Sequence, residues 1–247
     1  MAFQTVFKRY ELKYMLTLTQ KEKILEAIST YMQLDKYGRT TIRNIYFDTD
    51  SYRLIRRSIE KPAYKEKIRI RSYSQATADS TVFVELKKKY EKVVYKRRLP
   101  LCESDAMAWI CRENPCPVNT QISREIDYFI DFYGKLNPTV FLSYEREAYY
   151  DKGGGDFRVT FDDNILCRQE DLSLESEVYG TPILPEGKVL MEIKCSGGIP
   201  LWMTHVLSEE KIYKTSFSKY GTAYGTLIFP QTHTTNSYQM LEVATNA

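Results

Sequence analysis

One stretch, residues 64–99, constrains the fold of this chain more than any other. It begins YKEKIRIRSY and ends VFVELKKKYEKVVYKRRL. Side chains alternate between the two faces of a strand, so lysines and arginines share one face and isoleucines the other. The cations of that face are Lys65, Lys67, Arg69 and Arg71, continued by Lys87 and Lys89 beside Glu85. Like charges side by side on a sheet repel each other, so such a face needs either open water or a bound polyanion.

The same charged alternation recurs on other predicted strands. These faces carry Arg9, Glu11 and Lys13; Lys96 with Arg98 (or Arg97, on the opposite face); Arg146; Arg158 with Thr160 and Asp162; and Glu192 with Lys194. For one strand alone, a solvated face with a weak ion pair is the simpler interpretation. Recurrence favours a shared lumen, because strands that close into a barrel point one face inward. Unpaired buried charges are costly, so a polyanion with a divalent cation would satisfy such a lumen.

Hydrophobic periodicity predicts an α+β chain. Strands are expected at 5–15, 40–47, within 64–99, and at 139–150, 157–162 and 188–194. Helices are expected after a Thr19–Glu22 capping box, after Asp48 or Asp50, at 103–113 and 120–135, and after Pro200. No repeat or linker divides the chain, which predicts one domain over 1–231 and a disordered tail over 232–247.

Composition excludes several classes of protein. The net charge of +3 gives no bulk attraction to nucleic acid, and few aromatics interrupt the cationic faces for base stacking. Five cysteines without a CxxC pair and only two histidines argue against zinc and favour free thiols. No run approaches the roughly 20 apolar residues of a membrane span. We therefore expect a soluble, cytoplasmic protein that does not bind nucleic acid.

The ordered motifs resemble a known family. They are RYELKY at 9–14, KIRIR at 67–71, ELK at 85–87, YER at 144–146, RVTFD at 158–162 and LMEIK at 190–194. This order resembles the VTC domain family, polyphosphate polymerases within the CYTH-like triphosphate tunnel metalloenzymes, over about residues 5–229. The resemblance implies a closed antiparallel β tunnel of about eight strands with helices packed outside.

The resemblance also implies roles for individual residues. The catalytic residues would be Lys13, Arg69, Arg71, Lys87 and Arg146. Further phosphate-binding residues would be Arg9, Lys67, Lys89, Lys96, Arg98, Arg158, Lys194, Ser216, Ser218 and Lys219. Mn²⁺ or Mg²⁺ would be held by Glu192, with Glu85 and Glu11 as further ligands. Ser216 and Ser218 are equally explained as helix caps.

The implied activity is transfer of the γ-phosphoryl group of ATP to a polyphosphate chain inside the tunnel. One departure concerns Arg9, which stands where hydrolytic tunnel enzymes carry the first glutamate of E-x-E-x-K. That exchange favours retention of a long polyanion over plain hydrolysis. An inorganic or nucleoside triphosphatase and a non-catalytic polyphosphate or nucleotide sensor remain the alternatives. Eukaryotic relatives carry membrane modules, so a separate membrane protein is an expected partner.

Overall fold

A computed structural model describes residues 10–91 and 93–230, which build one antiparallel sheet with helices on it. The strands are β1 Tyr10–Thr17, β2 Met32–Leu34, β3 Thr40–Asp48, β4 Tyr64–Ser72, β5 Thr81–Tyr90, β6 Val93–Cys102, β7 Asn137–Asp151, β8 Arg158–Arg168, β9 Thr181–Pro182, β10 Lys188–Cys195 and β11 Lys214–Thr215. The helices are α1 Leu18–Ile28, α2 Arg53–Ile59, α3 Glu103–Ile110, α4 Gln121–Tyr133, α5 Leu201–Glu209 and α6 Lys219–Ala223, which continues into a π-helical turn, Tyr224–Ile228. None of these helices is long and apolar enough to cross a lipid bilayer.

The sheet curls so that strands far apart in its order meet across a lumen. The order is β11-β1-β10-β8-β7-β3-β4-β5-β6, with β2 beside β7 and β9 beside β8. Although β1 and β5 lie near opposite ends of this order, Lys87 Nζ on β5 lies 3.1 Å from Glu11 Oε2 on β1. The charged faces of the strands therefore face each other.

The α+β class is confirmed, but a closed tunnel of about eight strands is not. The described residues form eleven strands in an open path, whose outer members are β6 and β11. Because β11 has only two residues, Lys214 and Thr215, it offers little backbone for another ladder. Side chains such as Lys87 and Glu11 connect the two sides instead.

Apolar side chains on the outer face of the sheet pack under helices in two groups. Ile70 and Leu86 belong to a cluster with Trp109 of α3 and Phe129 of α4. On the other side, β1 and β10 pack against α1 and α5 in a second cluster. Burying apolar area at roughly 25 cal/mol per Å² holds these helices outside. The alternation in the sequence thus separates an apolar outer face from a charged inner face.

A third apolar cluster fills one end of the lumen from inside. Tyr220 of α6 and Tyr224 of the π-helical turn pack against Tyr46, Leu142 and Leu190 of the sheet. The ring of Tyr220 stacks on Tyr46 with centroids 4.7 Å apart. The C-terminal helix therefore closes this end, and the charged part of the lumen lies beside it.

Helix α2 covers the rim at the same end. Leu54 belongs to the outer cluster with the core helices, whereas its neighbour Ile55 belongs to the inner cluster with Tyr220. The carboxylate of Asp48 accepts hydrogen bonds from the amides of Leu54 at 2.8 Å and Ile55 at 2.9 Å. The N-cap residue is Tyr52, but the carboxylate of Asp48 satisfies amides that a helix leaves unpaired at its start, as predicted for Asp48.

Several predicted boundaries differ from the structure. The second basic run divides into β5 and β6 at a tight turn, where Glu91 has a φ of 51°. Helix α1 is capped by Thr17 with Gln20, rather than by Thr19 with Glu22, because β1 leads directly into it. Strand β8 continues to Arg168, well past 162. The predicted tail at 232–247 lies outside the described residues.

Candidate polyanion-binding tunnel

Strand register brings the predicted site residues together on the inner face. Lys13 pairs with Glu192 across β1 and β10, and Arg146 pairs with Asp162 across β7 and β8. On the opposite wall Arg69 pairs with Glu85, which pairs in turn with Arg98. Directly opposed residues on one face of a sheet lie within side-chain reach. The lumen therefore contains two groups of charges, one on each wall.

The first group surrounds Glu85, which is 2% exposed. Its carboxylate accepts hydrogen bonds from Arg69 Nε at 3.0 Å and Nη2 at 2.8 Å. Lys96 Nζ lies 2.7 Å, and Arg98 Nε 3.1 Å, from its other oxygen. Burial alone would raise the pKa of Glu85, but Arg69, Arg71 and Lys96 hold it far below its usual value. Glu85 is thus an ionised centre that holds several cations in place.

The second group is built on Glu192 and Asp162. Glu192 lies 3.3 Å from Lys13 and 3.0 Å from Lys194, counted from the nearest carboxylate oxygen to each Nζ. Asp162 accepts two hydrogen bonds of 2.6 Å from Arg146 and one of 2.5 Å from Lys219. Burial opposes ionisation of both acids, yet the neighbouring lysines and Arg146 lower both pKa values. Both carboxylates are therefore ionised.

Tyr144 connects the two groups. Its hydroxyl accepts a hydrogen bond of 2.9 Å from Arg71, while Arg146 and Lys219 lie 5.0 and 4.4 Å from its ring centroid. Burial raises the pKa of this phenol, but Arg146, Arg71 and Lys219 outweigh it and lower the pKa to about 8. The lowered pKa of Tyr144 thus reflects the concentration of positive charge around its side chain.

Further polar groups orient the arginines. Asn44 accepts a hydrogen bond of 3.0 Å from Arg71, and Tyr46 accepts one of 2.7 Å from Arg69. Sequence analysis placed Asp162 on a charged strand face without giving it a role, and it did not assign Asn44, Tyr46 or Tyr144 to the site. The signal was present for Asp162 and Tyr144, which share strand faces with Arg158 and Arg146.

Some inner cations have no carboxylate partner among the described residues. Lys67 donates to Ser218 Oγ at 3.0 Å, and Lys65 donates to the carbonyl of Ser58 at 3.3 Å. The side chains of Lys89 and Arg158 form no hydrogen bond or ion pair within the described chain. Burial and the surrounding cations, Lys87 first among them, lower the pKa of Lys67 to about 7. A ligand with negative charge would relieve this repulsion.

The segment before α6 crosses the lumen. Lys13 donates to the carbonyl of Phe217 at 2.7 Å, and Lys219 reaches Asp162. Ser218 has both roles that the sequence left open, since it contacts Lys67 and also caps α6 through the amide of Gly221 at 3.2 Å. Ser216 is exposed and makes no side-chain hydrogen bond with a described residue. The predicted phosphate-binding residue Arg9 lies outside the described residues.

The three proposed metal ligands, Glu11, Glu85 and Glu192, do not form a single coordination site. Glu11 lies near Lys87 and also 3.8 Å from Lys13, which contacts Glu192, whereas Glu85 shares no ion-pair partner with either. No group of three or more His, Cys, Asp or Glu side chains in residues 10–91 and 93–230 is arranged to hold a metal. Mg²⁺ commonly uses one or two carboxylates and completes its shell with phosphate oxygens and water. The donor set therefore fits a metal carried with a phosphate ligand beside Glu192.

These features define a class of protein: a curled antiparallel sheet whose inner face is a basic tunnel suited to phosphate polyanions. The chain belongs to the VTC domain family, whose model matches residues 8–228. The resemblance seen in the ordered motifs is confirmed. A comparison with curated protein sequences found no significant match.

Solved structures share the fold at low sequence identity. A candidate adenylate cyclase from Bacillus halodurans has 14% identity and a TM-score of 0.55, over 87% of this chain and 96% of that one. A candidate adenylyl cyclase from Hippeastrum, described as having a dominant triphosphatase activity, has 15% identity and a TM-score of 0.52, over 88% and 96%. Both likenesses concern the fold alone.

Proposed function

We propose that this protein transfers the γ-phosphoryl group of ATP to the end of a polyphosphate chain held in the tunnel. The observation that carries the proposal is the excess of cations over carboxylates on the inner face. The cations are Lys13, Lys65, Lys67, Arg69, Arg71, Lys87, Lys89, Lys96, Arg98, Arg146, Arg158, Lys194 and Lys219, and the carboxylates are Glu11, Glu85, Asp162 and Glu192. Membership of the VTC domain family supports it.

Two sets of cations would have different roles, one in binding phosphate and the other in neutralising charge on the transferring group. Arg69 and Arg71, oriented by Glu85, Tyr46 and Asn44, present guanidinium forks that suit phosphate oxygens. On the opposite wall Lys13 and Arg146 would stabilise charge on the transferring group. Phosphoryl transfer needs little covalent participation from the protein, so positioning and charge neutralisation supply most of the rate.

The acceptor in this reaction is a terminal oxygen of polyphosphate, which is already anionic. It forms a bond to the γ-phosphorus while the bond to the bridging oxygen of ADP breaks, and no proton has to be removed. Hydrolysis would instead use water, which benefits from a general base. Glu11, Glu85, Asp162 and Glu192 all have lowered pKa values and are weak bases. The charge environment therefore favours an anionic acceptor over water.

A divalent cation, when bound with ATP beside Glu192, would neutralise β- and γ-phosphate oxygens and the charge that develops on ADP. Glu192 is suited to this position because it is 6% exposed and its carboxylate is ionised. Asp162 is instead engaged by Arg146 and Lys219. It would position these cations rather than contact a metal.

A second candidate function is triphosphate hydrolysis. It is favoured by the description of the Hippeastrum protein, which shares the fold and has a dominant triphosphatase activity. The same cations would bind the triphosphate, and a water molecule would replace the polyphosphate end. The two functions differ only in the acceptor, so product analysis separates them.

The test is incubation with ATP and Mn²⁺ or Mg²⁺, with and without a short polyphosphate primer, followed by gel electrophoresis and assay of orthophosphate. The proposal expects ADP and polyphosphate to accumulate together, with elongation of the primer. Orthophosphate without any chain would replace the proposal with the triphosphatase. Tight, EDTA-insensitive binding without turnover would instead indicate a sensor of polyphosphate or nucleotide.

A further inference from the structure

Helix α2 carries a group of arginines outside the tunnel that the reaction does not use. Arg53, Arg56 and Arg57 line a cavity of about 360 Å³ together with Ser51 and Glu60. All three arginines are exposed. None of them forms an ion pair with a carboxylate in the described part of the chain. Arg56 reaches only the carbonyl of Ser51, at 3.5 Å.

Ordinary helix packing does not explain this arrangement. Arg53 has its two neighbours at i+3 and i+4, where like charges destabilise a helix. Its guanidinium lies 5.8 Å from the ring centroid of Phe132 and 5.3 Å from that of Tyr133, which hold it in place against α4. A fixed arginine beside two others is preorganised for an anion, since the guanidinium fork suits phosphate oxygens.

A lysine of the lumen contacts the helix that carries these arginines. The last turn of α2 is joined to the tunnel by Lys65, which donates to the carbonyl of Ser58. Burial and then Lys89, Lys87 and Lys61 lower the pKa of Lys65, so Lys61 after α2 lies within the same positive field. Cations thus extend from Lys89 and Lys65 inside the lumen to the arginines on the outer surface of α2.

We propose that the arginine cavity of α2 binds distal phosphates of a polyphosphate chain whose other phosphates lie in the tunnel. The proposal rests on the proposed function in one respect, namely that the ligand is a chain long enough to reach both places. The cavity would raise the affinity for long chains, because one chain would then occupy two linked binding sites on the protein. Short ligands would occupy the tunnel alone.

The experiment compares two ligands, tripolyphosphate and a long-chain polyphosphate of defined length, by equilibrium binding without ATP. The test variant is Arg56→Gln/Arg57→Gln, which leaves Arg53 packed on Phe132 and Tyr133. The control variant is Lys23→Gln/Arg124→Gln, which removes the same charge from exposed positions on α1 and α4. A reciprocal variant, Glu60→Gln, removes the carboxylate that lines the cavity.

We expect the affinity of the test variant for the long chain to fall roughly five- to tenfold, a modest loss because surface ion pairs are individually weak. Its affinity for tripolyphosphate should not change, because the short ligand occupies the tunnel alone. Glu60→Gln should bind the long chain more tightly. Equal losses for both ligands, the same loss in the control variant, or no loss at all would each overturn the proposal.

Failure here is distinguishable from failure of the proposed function. If the protein elongates polyphosphate and the Arg56→Gln/Arg57→Gln variant binds long chains normally, the polymerase proposal stands and the α2 site is rejected. If the protein only hydrolyses ATP but binds long chains through Arg56 and Arg57, the α2 site stands and the polymerase proposal is rejected. Wild-type protein whose affinity does not rise with chain length also overturns the site, whatever its turnover.

Discussion

Glu85 and Glu192 are both buried glutamates of the lumen, but their different neighbours indicate different roles. Glu85 contacts Arg69, Arg71, Lys96 and Arg98, so each of its oxygens already has cationic neighbours. Glu192 lies on the opposite wall beside Lys13 and Lys194. The family resemblance implied that both are metal ligands. The contacts favour Glu192 as the ligand of a phosphate-bound metal and Glu85 as the organiser of the arginines.

Glu192→Gln keeps the shape of the side chain and removes its charge. Turnover should fall by about two orders of magnitude or more, as expected when charge stabilisation in a transition state is lost. Binding of tripolyphosphate without metal should persist or tighten, because one negative charge has left a cationic lumen. Steady-state kinetics and calorimetry measure the two effects. Unchanged metal-dependent turnover would show that the metal is held elsewhere, and an unfolded variant would show that Glu192 is structural.

Glu85→Gln should act mainly on stability. It leaves Arg69 and Lys96 without their buried counter-charge, and breaking a buried ion pair on one side costs about 3–5 kcal/mol. Urea unfolding of Glu85→Gln and Glu192→Gln in parallel tests the difference. Added tripolyphosphate should restore part of the loss in Glu85→Gln because it supplies the missing negative charge. A loss below about 1 kcal/mol would contradict an organising role for Glu85.

Lys67 should take up a proton when a polyanion binds. Its pKa falls from 10.5 to about 7 in the free protein, chiefly through burial and then Lys87. Between these two pH values the unfolded chain holds more protons at this site, so the contribution of Lys67 to stability increases as pH rises. A bound phosphate would raise the pKa again, so affinity should fall as pH rises above about 7.

Calorimetry at about pH 8 in two buffers of different ionisation enthalpy measures this proton uptake. Wild-type protein should give different binding enthalpies in the two buffers, whereas Lys67→Met should reduce that difference. Equal enthalpies for the wild type would show that Lys67 is already protonated in the free protein.

At the scale of elements, one acid joins the rim helix to the helix that fills the lumen. The carboxylate of Asp48 accepts hydrogen bonds from the amides of Thr49, Leu54 and Ile55, and from the hydroxyl of Tyr220 at 2.9 Å. It is fully buried. The start of α2 and the position of α6 therefore depend on the same side chain.

Asp48→Ala should destabilise the protein by about 2–4 kcal/mol, because it removes a helix cap and leaves a buried hydroxyl and amides unpaired. Asp50→Ala is the matched control, since Asp50 is exposed and bonds only to Asn137 in the described chain. Chemical denaturation of both variants tests the prediction. Similar losses for the two variants would contradict the linking role of Asp48.

At the scale of the whole molecule, the tunnel places many like charges around one lumen, so its stability should depend on anions. A ligand that binds only the folded state at a hundredfold excess over its dissociation constant adds about 2.7 kcal/mol. We expect tripolyphosphate to raise the melting temperature and added NaCl to weaken that effect by screening. Arg71→Ala should bind more weakly and show a smaller rise. No shift for the wild type would contradict binding in the tunnel.

Local alternation and motif order were sufficient to predict much of this protein. The charged and apolar faces of β4 and β5, the helix at 120–135 and the family were all evident from the chain, because periodicity is a local property. The same alternation identified Arg69, Arg71, Lys87 and Glu192 as residues of the inner face. Burial of the other face then required helices outside the sheet.

Tertiary structure alone decided which charges meet. The meeting of Glu11 with Lys87, the separation of Glu85 from Glu192, and the placement of Tyr220 inside the lumen depend on how far the sheet curls and on where the C-terminal segment packs. These contacts join residues distant in sequence, so no local pattern encodes them. Sheet curvature arises from the summed twist of all the strands and from the packing on both faces. The sequence therefore determined the lining of the tunnel, and the fold determined the pairing within it.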